Sequence, residues 1–436
     1  MHKIIIEGNN KLSGKIRISG SKNSAVALVP AAVLCDEEVT IANVPSISDI
    51  DALDEILKFL GAKVKRKDDV MKIDSSNIEN RLIPEKISKK LRASYYFMGA
   101  LLSKFKKVEM YFPGGCSIGA RPINLHLKGF EALGAKVEEK DNLFIITADK
   151  LIGTKINLDF ASVGATINLM LAAVKAEGTT IISNAAKEPH IVNVATFLNN
   201  MGAKISGAGT SEIKIVGVSK LHSCFHEVVP DYIETGTYMI LASALGDAIT
   251  IENIIPDHVE SLISKLEDVG VPMEIGVDYI NIKAPEKLKA TNVKTQVYPG
   301  FPTDLQQPFA ALLTQATGKS VINETIYENR FQNLYELNKM GATTELLTNQ
   351  KAVIIGPTKL SGKTVRATDL RAGASLVIAG LIANGTTTIL DADYVLRGYE
   401  GLVEKLTNVG AKIKLEKEDK NGFKGEIKNK WKIRKG

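Results

Sequence analysis

The chain has 436 residues, of which 44% are hydrophobic, 24% charged and 6% aromatic, so we expect a soluble globular protein with two domains. Its 55 Lys and Arg and 49 Asp and Glu leave a net charge of +6, which suits an anionic small molecule as ligand. The one dense basic run, "KNKWKIRKG", is expected to be a frayed tail, so the charge distribution argues against a nucleic-acid binder. Three cysteines without a CxxC pair, and no apolar run near the roughly 20 residues of a membrane span, argue against a disulfide framework, a zinc site and a membrane protein, and predict a cytoplasmic location.

The sequence contains six copies of one unit. Variants of a short motif end each copy: "LGAKV" twice, then "MGAKI", "VGVPM", "MGATT" and "VGAKI". Their glycines are residues 61, 134, 202, 270, 341 and 410, which lie 68 to 73 residues apart. A repeat of this length is typical of supersecondary units that stack on one another to bury a core.

Each unit is predicted to have the same elements in the same order. A helix of small and apolar residues opens it, and because this helix is apolar nearly all round it should be buried. In chain order these helices are "SAVALVPAAVL", "RASYYFMGALL", "VGATINLMLAAV", "IETGTYMILASAL", "DLQQPFAALLT" and "RAGASLVIAGLI". A β-rich run such as "VTIANV" follows, then an amphipathic helix such as "DIDALDEILKFLG", whose last glycine suits a left-handed C-cap, and then a short strand pair. The prediction is an α/β fold of two similar domains, three units each, with helices inside and sheets outside.

Polar residues recur at two equivalent places in the units. At the starts of the inner helices stand Lys22, Arg92, Ser162, Asp231, Asp304 and Asp369, and after the central strands stand Asp49, Cys116, Glu188, Asp257, Arg330 and Arg397. Both sets are expected at one end of each domain, where unpaired N–H groups of helix N-termini favour phosphates and carboxylates. Ser and Asp at these places are also ordinary N-caps. Caps do not explain the lysine and the arginines, which oppose the helix dipole and therefore indicate an anionic ligand.

The stretch "YFPGGCSIGARP" places Cys116 in a glycine turn with Arg121 five residues further on. Cations near the thiol would favour its reactive thiolate, so Cys116 is a candidate proton donor or nucleophile, with a purely structural cysteine as the alternative. Asp304 is a candidate general base, because nearby arginines would leave its carboxylate ionised.

The remaining cysteines and histidines carry weaker signals. Cys35, in the apolar "AAVLC", and Cys224 are predicted to be structural. His126 follows the arginine loop and is a candidate ligand contact. No pair of histidines has metal-ligand spacing.

Eight segments together resemble the enolpyruvyltransferase family. In chain order they are "GSKNSA", "PGGCSIGARP", "SVGAT", "PDYIETG", "FPTDLQ", "ENRF", "DLRAGAS" and "RGYE". They follow that family's order along nearly the whole chain, and the cysteine loop "PGGCSIGARP" is the most specific of them. The resemblance implies a two-domain inside-out α/β barrel. It places one domain at residues 22–229 and the other at 1–21 together with 230–436.

The resemblance also implies a reaction. Phosphoenolpyruvate would give its enolpyruvyl group to the 3-hydroxyl of UDP-N-acetylglucosamine and release phosphate, the first committed step of peptidoglycan synthesis, without a metal or cofactor. Cys116 would protonate the methylene carbon, form a covalent adduct with phosphoenolpyruvate and be the target of fosfomycin. Asp304 would take the proton of the attacking hydroxyl. We expect no nucleic-acid partner and no membrane insertion, and a monomer or weak homo-oligomer.

The family's binding residues transfer by motif. The phosphoenolpyruvate set is Lys22, Asn23, Arg121, Arg330, Arg371 and Arg397, of which Lys22, Arg121 and Arg397 would hold the phosphate. The sugar-nucleotide set is Asn23, Arg92, Arg121, Pro122, Ile123, Asn124, Leu125, Ser162, Val163, Gly164, Glu188, Asp304 and Ile326. The resemblance further places Asp231 and Asp369 near the domain junction.

One position departs from the family pattern, and three alternatives stay open. Many members have a lysine two residues before the "SVG" serine, where this chain has Phe160, so a contact to the nucleotide is missing or replaced. The nearest alternative is the sister enzyme that acts on shikimate 3-phosphate. The others are an inactive paralogue that binds UDP-sugar and regulates, and a basic repeat protein that binds nucleic acid.

Overall fold

The computed structural model describes residues 1–112 and 123–418, and the structural statements below concern those residues. Three predicted site residues, Cys116, Arg121 and Pro122, lie outside the described ranges.

The described part of the chain contains 24 strands. In chain order they are β1 His2–Glu7, β2 Leu12–Arg17, β3 Glu38–Ala42, β4 Lys63–Lys67, β5 Val70–Asp74, β6 Lys107–Tyr111, β7 Lys136–Lys140, β8 Leu143–Thr147, β9 Lys155–Asn157, β10 Thr179–Ser183, β11 Lys204–Ser206, β12 Glu212–Val216, β13 Phe225–Glu227, β14 Gly246–Glu252, β15 Met273–Ile275, β16 Tyr279–Ile282, β17 Leu288–Lys289, β18 Val293–Lys294, β19 Ala316–Asn323, β20 Thr343–Thr348, β21 Lys351–Gly356, β22 Thr364–Arg366, β23 Thr386–Leu390 and β24 Lys412–Lys417.

Fourteen α-helices and three short 3₁₀ helices alternate with these strands in the described ranges. The α-helices are α1 Lys22–Ala31, α2 Ser48–Leu60, α3 Glu85–Ser88, α4 Tyr96–Phe105, α5 Asn124–Ala132, α6 Val163–Ala173, α7 Pro189–Asn200, α8 Tyr232–Leu245, α9 Glu260–Asp268, α10 Thr303–Leu313, α11 Gln332–Lys339, α12 Leu370–Ile382, α13 Asp393–Leu396 and α14 Leu402–Asn408. The 3₁₀ helices are Ala32–Leu34, Arg92–Tyr95 and Pro256–Val259.

The described strands form six sheets in two groups of three. Strands β3 to β13 form the sheets β13-β3-β5-β4, β6-β8-β7 and β11-β12-β10-β9. The later strands form β15-β16-β14-β2, β17-β19-β21-β20 and β22-β23-β1-β24, and β18 pairs with β19. The N-terminal strands β1 and β2 therefore belong to sheets built from the second half of the chain. The α/β class is confirmed, and the six-unit description stays a prediction that the six sheets support.

The inner helices begin where the sequence predicts. Helix α1 starts at Lys22, and Asp304 is in the first turn of α10. Ser162, Asp231 and Asp369 are N-caps of α6, α8 and α12, with side-chain oxygens that accept main-chain N–H groups of the first turn. In the second unit the 3₁₀ turn at Arg92–Tyr95 precedes α4. The predicted burial of these helices is confirmed, for almost every residue of α8 and α12 lies in the core.

The six repeat glycines end the outer helices. All six have positive φ, between 88° and 103°, a conformation that costs glycine least. Gly61 is the left-handed C-cap of α2, and its N–H donates to the carbonyl groups of Leu57 and Lys58. This local rule explains why glycine recurs at the ends of these helices.

Two separate hydrophobic cores hold the two groups of sheets. One consists of residues between Ala25 and Val228, and the other combines residues 4–18 with residues 232–411. Gly20 and Pro230 form an isolated antiparallel β-bridge where the chain crosses between the two cores. The domain boundaries at 22–229 and at 1–21 with 230–436 remain a prediction, which the division into two cores supports.

Packing between α4 and α6 depends on Gly99. A Cβ at this position would overlap the main-chain oxygen and Oδ1 of Asn168, an atom that already accepts the Gly99 N–H at 2.8 Å. We expect Gly99→Ala to lower the free energy of unfolding by about 1–3 kcal/mol, the usual cost of overpacking. The matched control is Gly380→Ala in α12, where the new Cβ meets side-chain carbons of Ile6 and Thr387 at 3.1 to 3.4 Å. Urea denaturation measures both; equal effects of the two substitutions would contradict this packing.

Candidate active site

The site is built around the point where the chain crosses between its two cores. The Ser21 N–H donates to the Val229 carbonyl at 2.7 Å, and the Asp231 N–H donates to the Ser19 carbonyl at 2.9 Å. Asp231 also joins two helix N-termini, since Oδ1 caps α8 while Oδ2 accepts the Lys22 N–H at 2.9 Å. Asp231 thus lies at the crossing point, which agrees with the place that the motif resemblance gives it.

Asp304 lies between two buried guanidinium groups. Its Oδ1 accepts from Arg330 Nη2 at 2.7 Å and its Oδ2 accepts from Arg371 Nη2 at 3.1 Å, and both arginines are 3% exposed. Enclosure by protein on its own raises the pKa of this carboxyl, but Arg371, Arg330 and Lys22 together hold the pKa well below its ordinary value. The carboxylate is therefore ionised, as the sequence predicts.

Neighbouring side chains fix both guanidinium groups. Arg371 Nη1 donates to the buried Tyr399 hydroxyl at 3.0 Å, and the guanidinium carbon lies 5.4 Å from the centre of the Tyr399 ring. Arg330 Nη1 donates to Thr303 Oγ1 at 3.0 Å. Each arginine consequently has one contact to Asp304 and one to a hydroxyl, so its orientation is set before any substrate binds.

A second carboxylate, Asp49, joins cations from the two halves of the chain. Its Oδ2 lies 3.2 Å from Lys22 Nζ and its Oδ1 accepts from Arg397 Nε at 2.9 Å. Asp49 itself is 2% exposed and stands in the first turn of α2, where the helix dipole favours an anion. The sequence grouped Asp49 with the polar residues after the central strands but did not identify it as a site residue. Nothing local signals a partner 348 residues away in the chain.

The N-terminus of α6 carries Ser162, Val163 and Gly164 of the predicted sugar-nucleotide set. A Cβ at Gly164 would lie 2.7 Å from the Tyr95 hydroxyl and 3.0 Å from His126 Cε1, so this turn packs closely against both rings. Arg92 lies over the Tyr95 ring, 5.8 Å from its centre. Burial, with the charge of Arg92, lowers the pKa of His126 to about 3, and Asn168 Nδ2 lies 2.9 Å from its Nδ1. His126, in α5, is thus a neutral residue packed against this turn, and its contact with ligand stays a prediction.

Other members of the predicted set differ in their exposure to solvent. Ile123 and Leu125 are buried in the first core, which leaves mainly their main-chain atoms for a ligand, whereas Asn124 is exposed. Asn23 follows Lys22 and is partly buried, and Val163 stands between Ser162 and Gly164.

Glu188 is the residue before α7, and it meets the other half of the chain. Burial raises the pKa of Glu188, while main-chain N–H groups, including that of Tyr298, oppose the rise. Ile326 is partly buried in the second half, with its N–H bound to Glu324.

Phe160, the departure from the family pattern, lies beside the N-terminus of α6. Its side chain is 59% exposed, and its carbonyl accepts the N–H of Ser162, the N-cap of that helix, at 2.7 Å. Any contact that this side chain makes with a nucleotide is therefore apolar.

Both described cysteines lie away from these clusters. Burial raises the pKa of the Cys35 thiol, and burial raises that of Cys224 to about 11, so neither is a ready nucleophile, in agreement with the structural role predicted for both. Cys116, Arg121 and Pro122 fall outside the described ranges, and their roles stay predictions.

The described residues show neither a membrane-spanning helix nor a metal-binding group. No helix there has the length and apolar composition that crossing a bilayer requires. No three His, Cys, Asp or Glu side chains within residues 1–112 and 123–418 are grouped so that they could hold a metal ion.

The fold of sheets around buried helices is shared with known transferases. Residues 6–406 match the profile of the EPSP synthase (3-phosphoshikimate 1-carboxyvinyltransferase) family. The solved enolpyruvyl transferase NikO from Streptomyces tendae superposes with a TM-score of 0.87 at 27% identity, over 95% of this chain and 98% of that one. The chain therefore belongs to the EPSP synthase family of enolpyruvyl transferases, and the resemblance of its motifs to that family is confirmed.

Two bacterial relatives are more similar in sequence. A protein of Listeria innocua serovar 6a, named UDP-N-acetylglucosamine 1-carboxyvinyltransferase 2, is 52% identical over 412 residues, which cover 94% of this chain and 97% of that protein. A Bacillus cereus protein of the same name is 51% identical over 430 residues, 98% of this chain and 100% of that protein.

The Asp49 bridge predicts how the two halves behave without ligand. In Asp49→Asn the cations Lys22 and Arg397 lose the charge that holds them together, so the halves should separate more. Small-angle X-ray scattering of the ligand-free protein should then give a larger radius of gyration than wild type. The matched control is Asp51→Asn on the same helix, which removes an exposed pair with Arg66 instead. A radius equal to that of the control would contradict the bridging role.

Proposed function

We propose that the protein transfers the enolpyruvyl group of phosphoenolpyruvate to the 3-hydroxyl of UDP-N-acetylglucosamine and releases phosphate, as the first committed step of peptidoglycan synthesis. The observation that carries the proposal is Asp304, an ionised carboxylate held between Arg330 and Arg371 and near Lys22, which Asp49 joins to Arg397. The names of relatives at about half identity over nearly the full chain support the choice of acceptor.

Four cations, Lys22, Arg330, Arg371 and Arg397, suit phosphoenolpyruvate, which has an anionic phosphate and an anionic carboxylate. Lys22 and Arg397 would take the phosphate, and Arg330 and Arg371 would orient the enolpyruvyl end. Donors fixed before binding stabilise charge without reorganising during the reaction, which is the main source of catalytic power in such sites. In this arrangement the phosphate would share the two cations that Asp49 now joins.

The acceptor hydroxyl needs a base, and Asp304 is the proposed one. While both arginines pair with Asp304 its carboxylate is a weak base, because its pKa is far below neutral pH. Anionic groups of phosphoenolpyruvate would compete for the same guanidinium groups and so raise the basicity of the carboxylate. Substrate binding would then prepare the base.

The proton for the methylene carbon of phosphoenolpyruvate would come from Cys116. As that carbon gains the proton, the sugar hydroxyl attacks the neighbouring carbon and loses its own proton to Asp304. Loss of a proton from the new methyl group and departure of phosphate then restore the double bond, so the enolpyruvyl group ends on the sugar. This assignment of Cys116 rests on the resemblance of "PGGCSIGARP" and on the chemistry of an acid near neutral pH.

The sugar nucleotide would lie against the first half of the chain. The N-terminus of α6 offers the main-chain N–H groups of Val163 and Gly164 to a diphosphate, beside the N-cap Ser162, and Arg92 lies nearby. We place the reaction between the two predicted domains, which would close on the substrates and exclude water. We also place the protein in the cytoplasm, as a monomer or weak homo-oligomer.

Phosphate release with each candidate acceptor tests the proposal. Purified protein with phosphoenolpyruvate should release phosphate when UDP-N-acetylglucosamine is added. Shikimate 3-phosphate, the substrate type named in the matching family profile, is the competing acceptor. Release with shikimate 3-phosphate alone would replace the proposal by the sister reaction, and release with neither would favour a binding protein.

Asp304→Asn should separate binding from turnover. The amide cannot accept the hydroxyl proton, so kcat should fall by roughly 10²–10⁴, the usual contribution of a general base. The amide also leaves both guanidinium groups without their counter-charge, so phosphoenolpyruvate should bind at least as tightly as to wild type. Steady-state kinetics and titration calorimetry measure the two effects, with thermal unfolding as the control for folding. Near-normal kcat would show that Asp304 only positions substrate.

Substitutions of Cys116 should separate proton donation from nucleophilic attack. Asp at this position can still donate a proton, so Cys116→Asp should keep substantial activity but resist fosfomycin, because a carboxylate is a far weaker nucleophile than a thiolate. Cys116→Ser should lack both properties, since a hydroxyl is too weak an acid. Mass spectrometry should place one fosfomycin adduct on the Cys116 peptide of wild type. An adduct on Cys35 or Cys224, or full activity of Cys116→Ser, would rule out the assignment.

A further inference from the structure

The loop after β19 contains two predicted site residues, Ile326 and Arg330, and it is built on a buried glutamate. Glu324 is 0% exposed, and its Oε1 accepts the N–H groups of Ile326 at 2.8 Å and of Tyr327 at 3.2 Å. The same oxygen accepts from Thr295 Oγ1 at 3.0 Å. The main chain of this loop is therefore held by one carboxylate.

The other oxygen of Glu324 leads to the site. Oε2 accepts from Thr303 Oγ1 at 2.9 Å, and Thr303 Oγ1 in turn accepts from Arg330 Nη1 at 3.0 Å. A hydroxyl has a single proton, so pointing it at Glu324 leaves its lone pairs for the arginine. Arg330 Nη2 then donates to Asp304 at 2.7 Å. A continuous hydrogen-bonded chain thus runs from Glu324 through Thr303 and Arg330 to Asp304.

We propose that Glu324 is a positioning residue for the reaction: it fixes the proton direction of Thr303 and the course of the loop, and thereby holds Arg330 in its contact with Asp304. This inference rests on the proposed function, in which Arg330 orients the enolpyruvyl group and Asp304 takes the proton.

The choice of glutamate is informative because burying a carboxylate is costly unless it is fully hydrogen-bonded. Three of its four donors, Thr303 and the N–H groups of Ile326 and Tyr327, belong to the elements that carry the predicted site residues. Hydrogen bonds in a buried chain also strengthen one another, so a change at Glu324 reaches Arg330. Glu324 contacts neither Arg330 nor Asp304 in these bonds, so it acts through Thr303.

Four single substitutions test this chain of hydrogen bonds. Glu324→Gln replaces one acceptor oxygen by an amide donor, which would turn the Thr303 proton toward Arg330. Thr303→Val removes the hydroxyl at nearly constant shape, and Thr303→Ser keeps it. Glu336→Gln is the matched control, since Glu336 is also largely buried in the second half but accepts from Lys339 and from the Arg366 N–H.

Both disruptive variants should lower kcat/KM for phosphoenolpyruvate by up to about 100-fold, the loss that a shift of around 1 Å in a positioned group can cause. Thr303→Ser and Glu336→Gln should stay close to wild type. The double variant that combines Glu324→Gln with Thr303→Val should lose no more kcat/KM than the worse of these two single variants. A loosened Arg330 should raise the pKa of Asp304, so the acid limb of the kcat profile, which reports ionisation in the substrate complex, should move to higher pH. A change in folding alone would not move that limb.

Wild-type turnover and acid limb in both Glu324→Gln and Thr303→Val would overturn the inference. If Glu324→Gln fails to fold, Thr303→Val against Thr303→Ser decides it. If wild type releases no phosphate with UDP-N-acetylglucosamine, the proposed function fails separately, and calorimetric titration with phosphoenolpyruvate then decides on Glu324. Weaker binding of phosphoenolpyruvate by Thr303→Val than by Thr303→Ser supports the hydrogen-bonded chain from Glu324 to Asp304, and equal binding refutes it.

Discussion

Two guanidinium groups buried in one place require a counter-charge, and the carboxylate of Asp304 supplies it. Arg330 lies in the loop after β19 and Arg371 in α12, yet each donates one hydrogen bond to Asp304. Burying an unpaired charge costs on the order of several kcal/mol per ion, so each guanidinium group needs a partner. The positions of α10, α12 and the loop after β19 are therefore linked, because each must present its charged group to the same point.

Asp49 is likewise a buried carboxylate that pairs with two cations, and these come from the two halves of the chain. It joins Lys22, at the start of α1, to Arg397, which follows α13 in the other half. Cations that would otherwise repel are held a short distance apart around an internal anion. A phosphate has the charge and geometry to share both partners, so this arrangement links phosphate binding to the relation between the halves of the chain. Glu324 is a third buried carboxylate, and it holds the loop that carries Arg330 by accepting main-chain N–H groups.

Much of the fold was predictable because it follows local rules. Serine and aspartate at N-caps, glycine with positive φ at helix ends and helices apolar on all sides each leave a signal within a few residues, and Ser162, Asp231 and Gly61 illustrate them. The site was predictable in composition but not in pairing. Asp49 and Arg397 are 348 residues apart, and no local pattern connects them. Glu324 looks like an ordinary loop acid in "INETIYENR", since its burial depends on Thr295 and Thr303 from other elements.

The central claim is that Asp304 is held ionised between two arginines, and its own titration tests this most directly. Carbon-13 NMR of protein labelled at the aspartate carboxyl carbons, with the Asp304 signal assigned by its loss in Asp304→Asn, follows the group as pH falls. We predict that the signal keeps its carboxylate position well below pH ~3.9, the ordinary aspartate pKa. A midpoint at or above about 3.9 would contradict this claim, because the two guanidinium groups would then not be stabilising the charge.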